Sequence, residues 1–403
     1  MTDRLYYHDS FLYEFDAHVV DSLELAGRHA VVLDRTAFYP TSGGQVHDTG
    51  KLKIDGREVA VVEVADEEDG RVLHFTDAAV ATGTAVHGSI DAVRRLDHIQ
   101  QHTGQHVLSA AFIRLFDMPT VSFHMGAESC TIDLETAGVS PRQVEQAERL
   151  SNEIIAENRP VAIRFVPVEE APKLGLRKIP ARETGDLRLI DIRDFDLCAC
   201  GGTHVQATGQ IGCILLRKTE KVKQGVRVEF VCGLRAVAIA RKDYTALTEA
   251  AGILSAHIHE LPQQIRKQQE EARTAAKSQQ KLLEEIAELE AERMLASLAP
   301  EQEVIIEVFS DRDASFVKLL AQKLTAGKRE VVALCAAFGG QPTLVFAQTP
   351  GGKHNMGQLL REIVTKLGGR GGGTAELAQG GIPAGAADRA AIESLLRETA
   401  AKL

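Results

Sequence analysis

The stretch that decides the fold lies in the first half of the chain and reads QQHTGQHVLSAAF, residues 100–112. From Ile90 to Phe116 apolar residues recur at the spacing of an amphipathic helix, so a helix is predicted there. Histidine and glycine are poor helix formers, which makes their presence inside it informative. His102 and His106 are four positions apart, and side chains at that spacing lie on the same helix face. The two imidazoles can therefore aim at one point.

A second pair of metal-binding residue types occurs a hundred residues later, in CACGGTHV, residues 198–205. Cys200 and His204 have the same spacing, and the two glycines between them predict a tight turn, since glycine reaches backbone angles that other residues avoid. Cys198 lacks a histidine at this spacing and is the weaker ligand candidate. Paired histidines alone are more often an ordinary polar face, but two such pairs predict a Zn²⁺ site formed by His102, His106, Cys200 and His204.

The role of this ion has two readings from the residues alone. The zinc peptidase pattern H-E-x-x-H is absent, because Thr103 follows His102. Four protein ligands would fill a tetrahedral ion and make the site structural, whereas three ligands and a water would generate a nucleophile near neutral pH. Both readings are compatible with the sequence.

Length and composition set the broad class of the protein. A chain of 403 residues with 44% hydrophobic residues predicts two or three globular domains. Its net charge of −10 argues against indiscriminate binding along nucleic acid but not against a local RNA site. No signal peptide and no run of membrane-spanning length is seen, and the six cysteines suit thiols or metal ligands, so a cytoplasmic location without membrane contact is expected.

The pattern of helices and strands predicts a multidomain α+β protein. Short strands and glycine turns predict a β-barrel-like domain over residues 1–89, and mixed helices and strands predict an α+β zinc domain over residues 90–235. Residues 236–299 are rich in Gln, Glu, Lys and Ala and predict a long, coiled-coil-like helical spacer. Residues 300–403 alternate strands and helices, including a helical reading of 356–373, and predict a glycine-rich α/β domain.

Four stretches together resemble one family. QQHTGQHVLSAAF and CACGGTHVQATGQIGCILL look like the paired HxxxH and CxxxH motifs of the editing domains of alanyl-tRNA synthetases and of AlaX trans-editing proteins. LDRTAFYPTSGGQVHDTG resembles the family's D-x-T-x-F-Y-P segment, and KLGGRGGGTAELAQGG resembles the synthetase C-terminal domain. Since no aminoacylation domain fits before Met1, the long form of AlaX is expected. The resemblance implies an aminoacyl-tRNA deacylase that hydrolyses, with zinc, seryl or glycyl esters of the tRNA for alanine, and it makes residues 90–235 an editing domain.

The resemblance also assigns roles to individual residues. Thr36 would read the serine hydroxyl, although a β-strand threonine satisfied by backbone is an equally good reading. Gln45 would position substrate or close a turn. His124 would stand where related editing pockets carry a polar residue.

RNA contact requires cations despite the acidic total. Clustered basic residues near the zinc motifs, with one in the C-terminal glycine run, are predicted to bind tRNA phosphates: Arg177, Lys178, Arg182, Lys221, Arg227 and Arg370. A homodimer through the helical spacer or the C-terminal domain is compatible with the sequence. Two competing functions are a non-catalytic RNA-binding protein with a structural zinc and a zinc hydrolase of small esters or amides.

Overall fold

The protein is described by a computed structural model covering residues 1–177, 185–223 and 225–403. It divides into two compact units, Met1–Glu249 and Ala250–Leu403. The helices of the first unit are α1 (Ala92–Phe116), α2 (Pro141–Ala156) and α3 (Gly233–Ile253), the last of which runs past the unit boundary. Its strands are β1 (Asp3–Arg4), β2 (Glu14–Leu25), β3 (Arg28–Leu33), β4 (Arg35–Thr36), β5 (Gly50–Ile54), β6 (Arg57–Asp66), β7 (Val72–Thr76), β8 (Ala85–Ile90), β9 (Thr120–Met125), β10 (Cys130–Leu134), β11 (Val161–Pro167), β12 (Asp186–Ile192), β13 (Asp196–Ala199), β14 (Ile214–Val222) and β15 (Gly225–Cys232).

The first ninety residues form a closed antiparallel barrel of strand order β2-β3-β7-β6-β5-β8. Along β2 the burial alternates, with Phe15, Ala17 and Val19 inside and their neighbours outside, as the two-residue period of a strand requires. Residues such as Leu52 and Val64 fill the interior, so the barrel is a packed core. The barrel and the mixed α+β organisation predicted from the sequence are thus confirmed.

Helix α1 forms the centre of the rest of the first unit. Asp91 caps its start by accepting hydrogen bonds from the amides of Val93 and Arg94, and it ends where Asp117 adopts a left-handed backbone with φ of 54°. Residues 98–112 are all buried, so α1 is surrounded rather than one-sided as the amphipathic pattern suggested. It packs against the sheet β14-β15-β10-β9 and against α2.

The polar residues at the start of α1 connect it to the barrel. The guanidinium of Arg95 is fully buried and its Nε donates to both carboxylate oxygens of Asp48 at 3.1 Å. A buried ion pair of this kind fixes an orientation because either partner alone would be an uncompensated charge. A third sheet, β11-β12-β13, ends at the CACGGTHV segment and brings it to α1.

The second unit contains a five-stranded sheet of order β16-β17-β18-β20-β19, in which only β16 and β17 are parallel. Its strands are β16 (Val304–Phe309), β17 (Val332–Ala337), β18 (Thr343–Gln348), β19 (Arg370–Gly373) and β20 (Leu377–Gly381), and its helices are α4 (Leu261–Ser297), α5 (Ala314–Thr325), α6 (Met356–Lys366) and α7 (Arg389–Ala400). None of the helices in the described ranges is both long and apolar enough to cross a membrane.

Two predictions about this half of the chain were wrong in detail. The helical segment predicted over 236–299 is two helices, α3 and α4, separated at residues 254–260, where Ser255 has a φ of 48°. The helix predicted to include the glycine run ends at Lys366, and residues 370–373 form β19. The division into four domains stays a prediction.

Candidate metal centre

The four predicted ligands come together in the first unit. His102 and His106 lie one turn apart on α1, while Cys200 and His204 lie in the loop after β13. The potential ligand atoms of the four side chains are all within 4.8 Å of one another. The Sγ of Cys200 is 3.3 Å from the Nε2 atoms of both His102 and His204. Cys198 is not part of this cluster. The role of the four as metal ligands stays a prediction.

Each imidazole of the cluster is held at its outer nitrogen. The Nδ1 of His102 donates to the Oε1 of Gln45 at 2.6 Å. The Nδ1 of His204 donates to the hydroxyl of Thr103 at 3.2 Å, and that hydroxyl donates to the carbonyl of Ile99. Nδ1 carries the proton in the contacts of His102 and His204, so Nε2 of these two rings presents its lone pair to the cluster, as a metal ligand must. The Nδ1 of His106 lies 3.4 Å from both the Asp196 carboxylate and the NH2 of Arg177.

Gln45 connects three segments of the chain. Besides accepting from His102, its Oε1 accepts from the amide of Thr203 at 3.2 Å, and its Nε2 donates to the Thr203 hydroxyl at 2.9 Å. The side chain is fully buried. Gln45 is therefore a positioning residue for His102 and for the loop that carries Cys200. Substrate positioning and the closing of a turn were the two roles predicted for it, and neither included this contact.

One of the two glycines of the CACGGTHV loop, Gly202, is needed for close approach. A Cβ atom at Gly202 would lie 2.1 Å from the Cε1 of His102, so no other residue fits against that ring. Neither Gly201 nor Gly202 has a positive φ, which corrects the expectation that unusual backbone angles require them. Arg188 holds the same loop: its NH1 donates to the carbonyls of Cys200 at 2.7 Å and Gly202 at 3.0 Å.

The electrostatics of the cluster favour a bound cation. Burial alone would raise the pKa of the Cys200 thiol, but the three neighbouring imidazoles outweigh it and hold that pKa well below its ordinary value. Burial lowers the pKa of His204 far below its usual range, whereas at His106 the Cys200 thiolate and the Asp196 carboxylate together outweigh burial and raise the pKa. A thiolate among buried imidazoles is a donor set that fits Zn²⁺, whose binding would displace the proton shared with the thiolate.

Two residues assigned by resemblance are not brought to the cluster. Thr36 is fully buried, and its hydroxyl contacts the Nε2 of His74 at 2.8 Å and the amide of Phe38 at 3.1 Å. In this conformation a substrate serine has no access to it, so its reading role lacks support from its contacts. His124 is exposed, on the opposite face of β9 from Phe123, whose ring centroid is 5.5 Å from that of His102. Phe123, not His124, is the β9 residue beside the cluster.

The predicted RNA-binding cations have different surroundings. Arg177 is half-buried and bonded to Asp196, with its NH2 3.4 Å from the Nδ1 of His106, so it supports the metal centre and does not face solvent freely. The side chain of Arg227 is 41% exposed and pairs with Asp133. Lys221 and Arg370 are exposed. Lys178 and Arg182 lie outside the described residues.

Sequence reasoning missed the residues that orient the ligands. Thr103, Asp196, Thr203 and Arg188 each contact a ligand or its loop. Only Thr103 carries a local signal, because it lies between two ligands on α1. The others come from distant segments whose spacing gives no indication of the contact.

Comparison of the sequence with known proteins shows the family of the chain. A sequence profile described as "tRNA synthetases class II (A)" matches residues 5–94, and one described as "Threonyl and Alanyl tRNA synthetase second additional domain" matches residues 187–228. The alanyl-tRNA editing protein AlaX-L of Pyrococcus horikoshii is 32% identical over 393 residues, covering 95% of each chain. The chain belongs to the AlaX-L family of alanyl-tRNA editing proteins. It is thus a member of a family of editing enzymes.

Longer proteins also match. The alanine–tRNA ligase of Pyrococcus furiosus is 34% identical over 395 residues, which cover 94% of this chain but 42% of the ligase. The chain therefore spans less than half the length of such ligases. The C-Ala domain of Aquifex aeolicus alanyl-tRNA synthetase is 29% identical over 24% of this chain and 88% of that domain, but its TM-score of 0.21 supports no structural argument.

Proposed function

We propose that this protein hydrolyses the ester bond of the tRNA for alanine when that tRNA is mischarged with serine or glycine, and that it does so with Zn²⁺ held by His102, His106, Cys200 and His204. The observation that carries the proposal is the convergence of these four side chains with each imidazole held at Nδ1. Membership in an alanyl-tRNA editing family supports the same substrate class.

The chain's own residues orient and enclose the reacting ester. When bound, zinc would supply a Lewis acid, which requires one of the four protein ligands to give way to a water or to the ester carbonyl. Gln45 and Thr103 keep the imidazoles of His102 and His204 in one tautomer and one orientation, so these two rings need no reorganisation on substrate binding. The ring of Phe123 provides an apolar wall beside His102. An aminoacyl ester is already activated, so positioning accounts for much of the rate.

The tRNA partner requires cations beyond the metal centre. Lys221 and Arg227 lie on neighbouring strands β14 and β15 of the first unit, and both reach solvent. We assign them to phosphate contacts, since such contacts position a nucleic acid without reading its sequence. Arg370 has the corresponding role in the second unit.

The decisive experiment compares three substrates on the purified, zinc-loaded chain: seryl-, glycyl- and alanyl-tRNA for alanine. The proposal expects release of serine or glycine and retention of alanine. His106→Ala is expected to lose both zinc and activity, whereas His18→Ala, an exposed histidine on β2, is expected to retain both. An active His106→Ala variant free of zinc would contradict the proposed site.

A structural zinc is the second candidate, and one observation favours it. All four potential ligands are protein side chains, and three of them are at most 3% exposed, which is typical of closed tetrahedral sites. If the zinc-loaded chain bound the tRNA but released no amino acid from any of the three substrates, the non-catalytic RNA-binding function would be preferred.

A further inference from the structure

A cavity of about 450 Å³ lies at the N-terminal end of α1 in the first unit. This volume falls in the range of small-molecule binding pockets, about 300–1,000 Å³. Its lining includes the apolar Val46, Val93 and Met125, the polar or basic Arg94, His98 and Arg235, and two carboxylates, Asp91 and Asp97. The Asp91 carboxylate accepts from the amides at the start of α1, and that of Asp97 is paired with Arg235. None of them is a predicted metal ligand, and the proposed chemistry uses none of them.

His98 is a buried polar residue with an unmet hydrogen bond. It is 3% exposed, and its Nδ1 has no hydrogen-bond partner among the described residues. Burial lowers the pKa of His98 to about 4, so the imidazole is neutral at neutral pH. A buried polar atom without a partner costs free energy unless a ligand or a water supplies the bond. A neutral imidazole suits the edge of an uncharged ring such as a nucleobase.

Arg94 supplies a cation to the same cavity. Its Nε donates to the carbonyl of His47 at 3.0 Å, and its terminal nitrogens make no hydrogen bond within the described part of the chain. Arg235 is different, because its guanidinium is bonded to Asp97 and to the carbonyl of Gly126. One available cation, one neutral imidazole and the apolar Val46 match the phosphate, the base edge and the base face of a nucleotide.

The cavity is lined by residues that are close in the chain to the candidate metal centre. Val46 follows Gln45, which holds His102, and His98 lies one helical turn before His102 on α1. Met125 is two residues from Phe123 on β9, on the same face of the strand. A chain of RNA whose end reached the metal centre would therefore bring its preceding nucleotide to this cavity.

We propose that the cavity lined by Val46, Arg94, His98 and Met125 binds the nucleotide immediately 5′ of the aminoacylated one, with Arg94 on its phosphate and His98 on its base. The inference rests on the proposed function, since it takes the tRNA end as the ligand. It assigns Arg94 and His98 to substrate binding and leaves the ester chemistry to the metal centre.

Binding of unacylated RNA tests the cavity without catalysis. Titration calorimetry would compare adenosine with the trinucleotide CCA on the zinc-loaded full chain. The wild type is expected to bind CCA at least about tenfold more tightly than adenosine. Arg94→Gln and His98→Leu are expected to lose most of that preference, whereas Arg142→Gln, an exposed arginine on α2, is expected to keep it. Zinc content and thermal unfolding identify any variant that has not folded. Arg94 is partly exposed, so its variant tests the proposal even if the His98 variant does not fold.

Hydrolysis of two esters separates this proposal from the proposed function. The Arg94 and His98 variants are expected to lose about tenfold in kcat/KM on seryl-tRNA but to hydrolyse 2′(3′)-O-seryl-adenosine like the wild type. Equal binding of adenosine and CCA by the wild type, or an unchanged preference in both variants, would overturn the cavity assignment even if the wild type is an active deacylase. A wild type that prefers CCA but hydrolyses neither ester would instead refute the proposed function and keep the cavity.

Discussion

The candidate metal centre depends on side chains that are not themselves predicted ligands. Gln45 is the clearest case, because one buried amide orients His102 and also bonds the backbone and side chain of Thr203. Partners of this kind fix the ring orientation and the tautomer of a metal-binding histidine. The affinity of the site should therefore respond to a residue outside the ligand set.

We predict that Gln45→Ala weakens zinc binding by about 10- to 100-fold while all four ligands remain present. Competition with a chromophoric chelator would measure the dissociation constant. Gln263→Ala, an exposed glutamine on α4, is the matched control and should bind zinc like the wild type. Unchanged affinity in the Gln45 variant would show that its contact with His102 does not orient the ligand.

The buried imidazole of His74 makes the free energy of unfolding depend on pH. His74 lies inside the barrel wall, and burial lowers its pKa to about 4. The unfolded chain, with a histidine pKa near 6.5, binds more protons than the folded chain between pH 6.5 and 4, so stability falls as the pH falls through this window. The loss attributable to His74 is on the order of 3 kcal/mol at pH 4.

Chemical denaturation of the wild type and of His74→Gln across this range would measure the effect. In the variant the free energy of unfolding should depend less steeply on pH, with up to one proton fewer taken up on unfolding. His18→Ala, at an exposed position, should leave the slope as it is. Equal slopes of the free energy of unfolding against pH for the wild type and His74→Gln would contradict the assignment of this pH dependence to His74.

The sequence predicted the four side chains that converge and not the residues that orient them. Two spacings of four residues point to the ligands because each pair is local to one segment. Gln45, Asp196 and Arg188 reach the site only through tertiary contacts between distant segments. The role predicted for His124 lacks support from its position, because it is exposed on β9 and its neighbour Phe123 is the residue beside the cluster.

At the scale of elements, the glycine inside α1 has a packing reason. A Cβ atom on Gly104 would lie 2.2 Å from the Sγ of Cys232 on β15, so the helix approaches the sheet too closely for any side chain. Alanine favours a helix by about 1 kcal/mol over glycine, but overpacking in a core costs about 1–3 kcal/mol.

Gly104→Ala is therefore predicted to destabilise the protein by roughly 1–2 kcal/mol despite its better helix propensity. Adding Cys232→Ala, which removes the clashing sulfur, should recover part of the loss in denaturant unfolding. Gly252→Ala on α3, where an added Cβ meets nothing within 4 Å, should be neutral or stabilising. A stabilising Gly104→Ala change would show that the helix does not need this approach.

Element types were predicted better than their ends. Strands such as β3, β6 and β7 follow from short runs of apolar and β-branched residues bounded by turn residues, and α2 from its proline start and apolar period. The break between α3 and α4 was missed although Gly252 precedes it and Pro262 stands in the first turn of α4, a pair of signals that marks a helix end and a helix start. Strand β19 was missed because a run of glycines has no side-chain pattern, and its pairing with β20 alone makes it a strand.

At the scale of the whole molecule, α4 presents an apolar stripe to solvent. Leu282, Ile286 and Leu289 follow a spacing of four and three residues, and they are 58%, 38% and 66% exposed. The opposite face of α4, with Ala287 and Ala291, packs into the core of the second unit. A heptad-like stripe left exposed on a long helix is typical of a coiled-coil seam between copies of a chain.

We predict a homodimer through this stripe, which sedimentation equilibrium at micromolar concentration would detect. The double variant Leu282→Gln/Leu289→Gln should be monomeric and still folded, because neither side chain is in the core. Val20→Gln, which replaces an apolar residue that is 51% exposed on the barrel, should leave the dimer intact. A monomeric wild type would contradict the proposed dimer interface through this stripe.

The most direct test of the proposed ligand set is X-ray absorption at the zinc edge of the protein loaded with one equivalent of zinc. If His102, His106, Cys200 and His204 bind the ion, its shell contains three nitrogens at about 2.0–2.1 Å and one sulfur at about 2.3 Å. The sulfur should disappear in Cys200→Ser and persist in Cys198→Ser. A shell without sulfur, or one whose sulfur is lost with Cys198 and not with Cys200, would contradict this ligand set.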